Sequence, residues 1–364
     1  MPVKLLRIRA KTSRISKNME LRELESLLKI EELGLSYDDY IAPMVLWAVE
    51  DAERIAEELG VLRVVPKGGY IMGLFGGEKK KGKSEYAGIV VERYDAKNGV
   101  VSIKLYNLTR SYNVPINLMN SYGVDVYKVY YAGLINPFSC RTYNILLSKK
   151  GDEDLKNFLK TLVELNRNTM PQRDLNYLNA LIAELKTSID MFDENRYYVI
   201  YRCQRVFSAC VPTDLTKAVS ESHIAYLECK DQDQAHYYAG VLNYLAYKVI
   251  ELERSFIRSQ FARPALAITV AGLSWKTVPE DIRRKISDLS SQLSRKIAWS
   301  KYSNQEIAFR HLASRPEFKE IVRILDGYVD KEKLKDALNL VSSPQENSQE
   351  NEDRESAKHP HLKS

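Results

Sequence analysis

Apolar and polar positions along the chain alternate between a helical period and strand-like runs. Met19, Leu21, Leu24, Leu27, Leu28 and Leu33 recur near helical spacing before Gly34. Residues 40–59 predict a second helix, with Pro43 in its first turn, where a missing N–H costs little, and Gly60 as its stop. The pattern then changes. Residues 61–75 and 86–147 are rich in Val, Ile and Tyr and read as strands. The runs 88–94 and 100–105 flank Ala96-Lys97-Asn98-Gly99, whose Asn-Gly pair tolerates the positive φ of a hairpin turn.

Helical spacing returns at 152–168 and 172–191, two segments separated by Pro171 that suit an antiparallel pair. Strands are expected at 196–202, 205–211 and 223–228. Asp231 caps a helix over 232–252 that buries Ala235, Tyr238, Leu242, Leu245 and Val249. In the last third, Thr277 and Glu280 have capping-box spacing around Pro279 and start a helix that runs to about Trp299, and Ser303 and Glu306 repeat the spacing. Pro316 opens another helix and Asp330 caps the last. From Ser342 the chain is Ser-, Gln-, Asn- and Glu-rich and is expected to be disordered. The fold class expected is α+β. It divides into a basic arm and helical segment (1–60), a strand-rich domain (61–150), a helical pair (151–192), an α/β unit (193–270), a helical region (271–341) and a tail (342–364).

A 364-residue chain that is 45% apolar and 28% charged has the balance of a globular protein. The net charge of +6 is unevenly spread. Residues 1–17 hold six basic side chains and no acidic one, and residues 18–58 hold twelve acidic against three basic. Residues 254–315 hold twelve Lys or Arg against four Asp or Glu, which points to a polyanion partner. No apolar stretch is long enough to cross a membrane and no signal-peptide core opens the chain, so a cytoplasmic location is expected. The 23 tyrosines, with abundant Lys, Arg and Glu and few Gln, resemble the composition of heat-adapted proteins. Cys140, Cys203, Cys210 and Cys229 form no CxxC pair and have no His at zinc-finger spacing, which predicts free thiols and no metal.

Gly77-Glu78-Lys79-Lys80-Lys81-Gly82-Lys83-Ser84 satisfies GxxxxGK[ST]. A phosphate loop needs a helix after it, whereas Glu85–Tyr94 reads as a strand, so the better account is a basic tip between strands. Lys79, Lys80, Lys81 and Lys83 can still touch a phosphate backbone. His223, His236, His311, His359 and His361 are scattered, and no HExxH or GxSxG stands in the chain, so no catalytic residue and no cofactor is assigned. The segment Arg254–Arg263 is more informative. Arg254, Arg258 and Arg263 recur with Gln260, Phe256 and Phe261 among them, an interleaving that suits phosphate, bases and stacking. The opposing reading makes the Phe residues core and the Arg residues partners of acidic helices. Arg283, Arg284 and Lys285 extend the basic surface, followed by Arg295 and Lys296.

The layout from Tyr197-Tyr198-Val199-Ile200-Tyr201-Arg202 through Phe207–Val211, His223–Leu227 and Ala235-His236-Tyr237-Tyr238 to Arg263-Pro264 resembles the target-recognition region of adenine-N6 DNA methyltransferases of restriction–modification systems. It covers residues from about 196 to 300. The Asn/Asp-Pro-Pro-Tyr/Phe motif and glycine-rich cofactor loop of those enzymes are missing, and the nearest string is Asn136-Pro137-Phe138. The resemblance implies a recognition module that contacts DNA within 196–270, with RNA left open, and a separate methyltransferase or nuclease subunit. A non-catalytic scaffold subunit of a larger nucleoprotein complex is the second reading, and a P-loop hydrolase the third.

Overall fold

A computed structural model of the chain describes residues 52–66, 70–72, 91–95, 100–103, 108–188, 190–221, 223–257, 260–297 and 305–343. The basic arm, the helix at 19–33, the Lys79–Lys83 loop, the Asn98-Gly99 turn, Arg258, Ser303 and the tail beyond Ser343 lie outside them. The architecture is α+β.

Helix α1 (52–59) ends at Gly60, whose φ of +77° is the left-handed conformation that glycine adopts without penalty. Strands β1 (Arg63–Val65), β2 (Tyr70–Met72), β3 (Val91–Asp95), β4 (Val100–Ile103) and β5 (Tyr112–Pro115) follow, then α2 (Ile116–Ser121), β6 (Val124–Tyr130) and β7 (Thr142–Ser148). Helices α3 (Asp152–Asn166) and α4 (Gln172–Glu184) lead into β8 (Lys186–Ser188), β9 (Asp190–Met191), β10 (Tyr197–Arg202), β11 (Ala209–Cys210), β12 (Ala218–Ser220) and β13 (Ile224–Cys229). The rest is α5 (Gln232–Glu251), β14 (Ser255–Phe256), α6 (Arg263–Val270), α7 (Glu280–Lys296), α8 (Gln305–Leu312), α9 (Pro316–Tyr328), α10 (Lys331–Val341) and β15 (Ser342–Ser343).

The central sheet has the order β1-β13-β10-β11, all antiparallel. Both of its faces are covered. Val199 and Tyr201 point into the largest core cluster with α5, while Tyr198 and Ile200 point the other way, towards Phe192 and Tyr226. Helix α5 is buried on almost every side from Gln234 to Ala246, and the Asp231 carboxylate caps it by accepting from Gln234 N at 2.7 Å. Gly240 lets α7 approach: a Cβ there would stand 2.4 Å from Ser290 Oγ and 2.8 Å from Ile286 Cγ2. A second sheet, β7-β6-β12-β9, contains the parallel pair β12–β6, and α3 and α4 share one core cluster with its β6–β7 edge. Asp174 on α4 is buried and accepts from Thr109 N, Thr109 Oγ1 and Tyr112 Oη at 2.8–3.0 Å.

Several expectations need correction. The helix expected over 172–191 stops at Glu184; Leu185 turns extended, and Lys186–Ser188 pair with Tyr70–Met72 instead. Thr187 and Ser188 are weak helix formers, and the edge of β2 offers their backbone a ladder. The strand expected over 205–211 is reduced to Ala209–Cys210, because Arg205 adopts φ +47° and turns the chain. Thr277 is no cap: its hydroxyl donates to Gly272 O and Ser274 O, and α7 begins after Pro279. Cys140 and Cys210 are joined by a disulfide with Cα atoms 5.5 Å apart, whereas Cys203 and Cys229 are buried thiols outside any disulfide. Elements not anticipated include α2, β12 and the short pair β14–β15. That pair matters, because it builds one wall of the site.

Candidate functional site

Three segments distant in sequence meet around a cleft of about 670 Å³. Arg205 comes from the loop between β10 and β11, Glu253, Arg254 and Phe256 from the exit of α5, and Glu306 and Arg310 from α8.

Each segment is held by its own chemistry. Helix α5 ends in a Schellman motif: Glu253 N donates to Ile250 O at 3.1 Å and Arg254 N to Val249 O at 3.0 Å. The left-handed position, where glycine is usual, is taken by Glu253 with φ +51°. Arg205 is left-handed too, and a non-glycine residue in that region costs roughly 1–2 kcal/mol. The cleft therefore presents two charged side chains from strained backbone, which the surrounding packing has to maintain. After the turn, β14 pairs with β15 in the register Ser255↔Ser343 and Phe256↔Ser342. Phe256 is half-buried and braced edge-to-face by the buried Phe207, with ring centroids 5.8 Å apart. Helix α8 is pinned at its start by Gln305, whose buried amide donates to Ile135 O at 2.6 Å and Ser208 Oγ at 3.2 Å. Ala308, Phe309 and Leu312 face the core, which leaves Glu306 and Arg310, four residues apart, on the exposed side.

The arginines differ in what they already hold. Arg254 is half-buried and donates from Nη2 to Asn339 Oδ1 at 2.6 Å and to Ser342 O at 3.4 Å, while its buried Nε has no partner. Arg205 and Arg310 are exposed and make no ion pair or side-chain hydrogen bond with a described residue. They are the two residues that sequence reasoning missed. Arg205 sits in a segment that reads as strand, Arg310 stands alone on a short helix, and 105 positions separate them.

The residues singled out from the sequence fare unequally. Gln260 is wholly buried, and its Nε2 donates to Ile257 O at 2.8 Å and Val341 O at 2.9 Å. It staples the approach to α6 onto the end of α10, and its Oε1, which has no partner, is sealed from solvent, so its expected role as a base reader is corrected to a structural one. Arg263, half-buried at the start of α6, has a partner within the chain, and burial pulls its guanidinium pKa down. Arg283 donates to Trp275 O at 2.8 Å and lies 4.6 Å over the Trp275 ring. Arg284 pairs with Glu280 at 2.5 Å and Lys285 with Glu320 at 2.6 Å. Lys79, Lys80, Lys81, Lys83 and Arg258 lie outside the described residues. Among the described residues that the sequence singled out, Arg254 and Phe256 line the cleft.

One constellation was not expected. The buried Glu221 carboxylate accepts from Ala132 N, His223 N and His223 Nδ1, each at 2.9 Å. Two of the three donors are backbone, so the carboxylate ties the turn after β12 to the Ala132–Leu134 turn. Among the described residues no helix is long and apolar enough to cross a membrane, and no group of three or more His, Cys, Asp or Glu is placed to hold a metal. Comparison with models of protein families and with curated protein sequences found no match to this chain.

Proposed function

We propose that the chain is a nucleic-acid-binding module that holds phosphate in the cleft between Arg205, Arg254 and Arg310. One observation carries this reading: arginines from three separate elements line a single concavity, and two of them, Arg205 and Arg310, are exposed and spend no hydrogen bond or ion pair on a described residue. Arginine keeps its charge at any physiological pH, and its planar fork matches two oxygens of a phosphate. The resemblance of residues 196–300 supports the further proposal that the ligand is DNA. The chain would then act in the cytoplasm as the recognition part of a restriction–modification or related defence system, with the reaction carried out by a separate methyltransferase or nuclease subunit.

Titration of labelled oligonucleotides at about 50 mM and about 200 mM salt tests the binding claim. Affinity is expected to fall with a log–log slope of about 0.7–0.9 per phosphate held. No binding at the lower salt removes the proposal.

A further inference from the structure

The Cys140–Cys210 disulfide stands where the two exposed arginines of the cleft are set in position. Strand β11, which carries Cys210, closes one end of the central sheet and meets β10 through just Ile200↔Cys210 and Tyr201↔Ala209. Its outer edge is held by Asn243 of α5, which accepts from Ala209 N and donates to Ala209 O, each at 2.9 Å, and by a strap, residues 132–140. Within the strap, Phe138 N donates to Ala209 O at 2.8 Å, and Asn136 and Ser139 exchange backbone hydrogen bonds at 3.0 Å.

The strap is anchored at both ends. At the first, the buried Glu221 carboxylate accepts from Ala132 N; at the second, the disulfide ties Cys140 to Cys210. Between the anchors, Ile135 O accepts from Ser208 Oγ at 3.3 Å and from Gln305 Nε2 at 2.6 Å. Ser208 belongs to the loop that carries Arg205, and Gln305 begins the helix that carries Arg310. One strap carbonyl therefore joins the two elements whose arginines face the cleft. The strap is also strained. Phe138 sits at φ +60°, a conformation that bulky residues rarely adopt, and its buried ring is braced edge-to-face by Phe318, with centroids 6.1 Å apart. Such a conformation persists only while its surroundings hold it. The two cysteines differ in access: Cys210 is fully buried beside Tyr198, Ile200 and Tyr226, whereas Cys140 is half-buried.

We propose that the Cys140–Cys210 disulfide is a redox latch on the arginine cleft. Closed, it holds the strap and, through Ile135, keeps Arg205 and Arg310 in register. Opened by a dithiol, it frees the strap and lowers affinity for phosphate. A thiolate of the dithiol attacks Cys140 Sγ, the S–S bond breaks, and Cys210 leaves as a thiolate that takes up a proton. The second thiol of the reductant loses its proton, attacks the reductant sulfur of the mixed disulfide and displaces Cys140, which is protonated in turn. The chain gains two electrons and two protons, and the dithiol becomes a disulfide. The effect on binding rests on the nucleic-acid reading above; the release of the strap does not.

The experiment compares the full chain before and after dithiothreitol. Cys203 and Cys229 are buried, so alkylation of the native chain, read by mass spectrometry, reports the opening of the bond at Cys140. Hydrogen exchange over 203–211 and 305–312 is expected to rise about tenfold on reduction, with α5 unchanged. Affinity for a labelled oligonucleotide is expected to fall about tenfold and to return on oxidation with glutathione disulfide. Cys140→Ser is expected to match the reduced chain and to ignore dithiothreitol. A bond that resists dithiothreitol until the chain unfolds, or exchange that does not change on reduction, overturns the latch. Affinity that stays within about twofold across the two redox states overturns it as well and leaves phosphate recognition intact. If neither state binds any oligonucleotide, the nucleic-acid reading falls, and hydrogen exchange alone decides the latch. The reduced unaltered chain carries the comparison even if Cys140→Ser fails to fold.

Discussion

Two basic regions of this molecule have the same residue types and opposite circumstances. On the flank of α7, Arg283, Arg284, Lys285 and Lys296 each meet a partner inside the chain: the Trp275 carbonyl and ring, Glu280, Glu320 and Glu317. In the cleft, Arg205 and Arg310 make no such pairing with a described residue. The α7 flank is the denser cluster in sequence, yet these four side chains are already engaged within the chain. The cleft is sparse in sequence but keeps hydrogen-bond capacity available. Charge density along a chain therefore locates cations, and only their pairing tells which ones are available to a ligand.

Five variants probe this contrast, starting with the largest expected effect. Reversing both cleft arginines, Arg205→Glu with Arg310→Glu, is expected to weaken oligonucleotide binding about 100-fold or more, since two charge-assisted contacts are lost. Both side chains are exposed, so the thermal midpoint should barely move. Next, Gln260→Leu takes the side-chain donor from the Ile257 carbonyl and one of two donors from the Val341 carbonyl, which keeps Ile257 N at 3.0 Å, and should cost about 1–2 kcal/mol in urea unfolding. Any loss of binding should then follow the loss of folded protein, because Gln260 has no edge in the cleft. Arg283→Met removes one hydrogen bond and the contact with Trp275, an expected loss of about 1–2 kcal/mol in stability with binding unchanged.

The smallest effects belong to the exposed pairs. Arg284→Ala and Lys285→Ala should each change stability by less than about 1 kcal/mol and binding by less than about twofold. Hydrogen bonds from Arg323 and then Lys285 pull the Glu320 carboxyl down to about 2. A carboxyl depressed by folding stabilises the folded state above its unfolded value and loses that contribution only as pH falls through the folded one. Lys285→Ala is accordingly expected to have the same minor effect in melts at about pH 7 and about pH 4. An α7 variant that weakened binding as much as the cleft pair would erase the distinction between the two regions.

Much of the fold was legible where local signals carry it. The Asp231 cap and the apolar run behind it specify α5, Pro316 opens α9, and Asp330 caps α10 through Glu332 N and Lys333 N. Partners distant in sequence were not legible. Arg63 pairs with Glu228 across the central sheet, and Ala218 lies parallel to Lys128, neither announced by a local pattern. The Cys140–Cys210 bridge closes a separation of 70 residues in the same way. Gln260 shows the converse error. A polar residue between arginines and phenylalanines looks like a reader of bases, yet a buried amide that satisfies two carbonyls gives the same sequence signature. Arg205 gave no signal and Arg310 was only one of twelve basic residues in 254–315, because what sets them apart is how they are engaged once the chain is folded.

The salt dependence of oligonucleotide binding, compared between the unaltered chain and the Arg205→Glu/Arg310→Glu variant, reports most directly on whether these two guanidiniums hold phosphate. The account expects the variant's log–log slope to be shallower by about 1.4–1.8, about 0.7–0.9 for each phosphate released. Two parallel lines, or superimposable ones, would place the contacts elsewhere in the molecule.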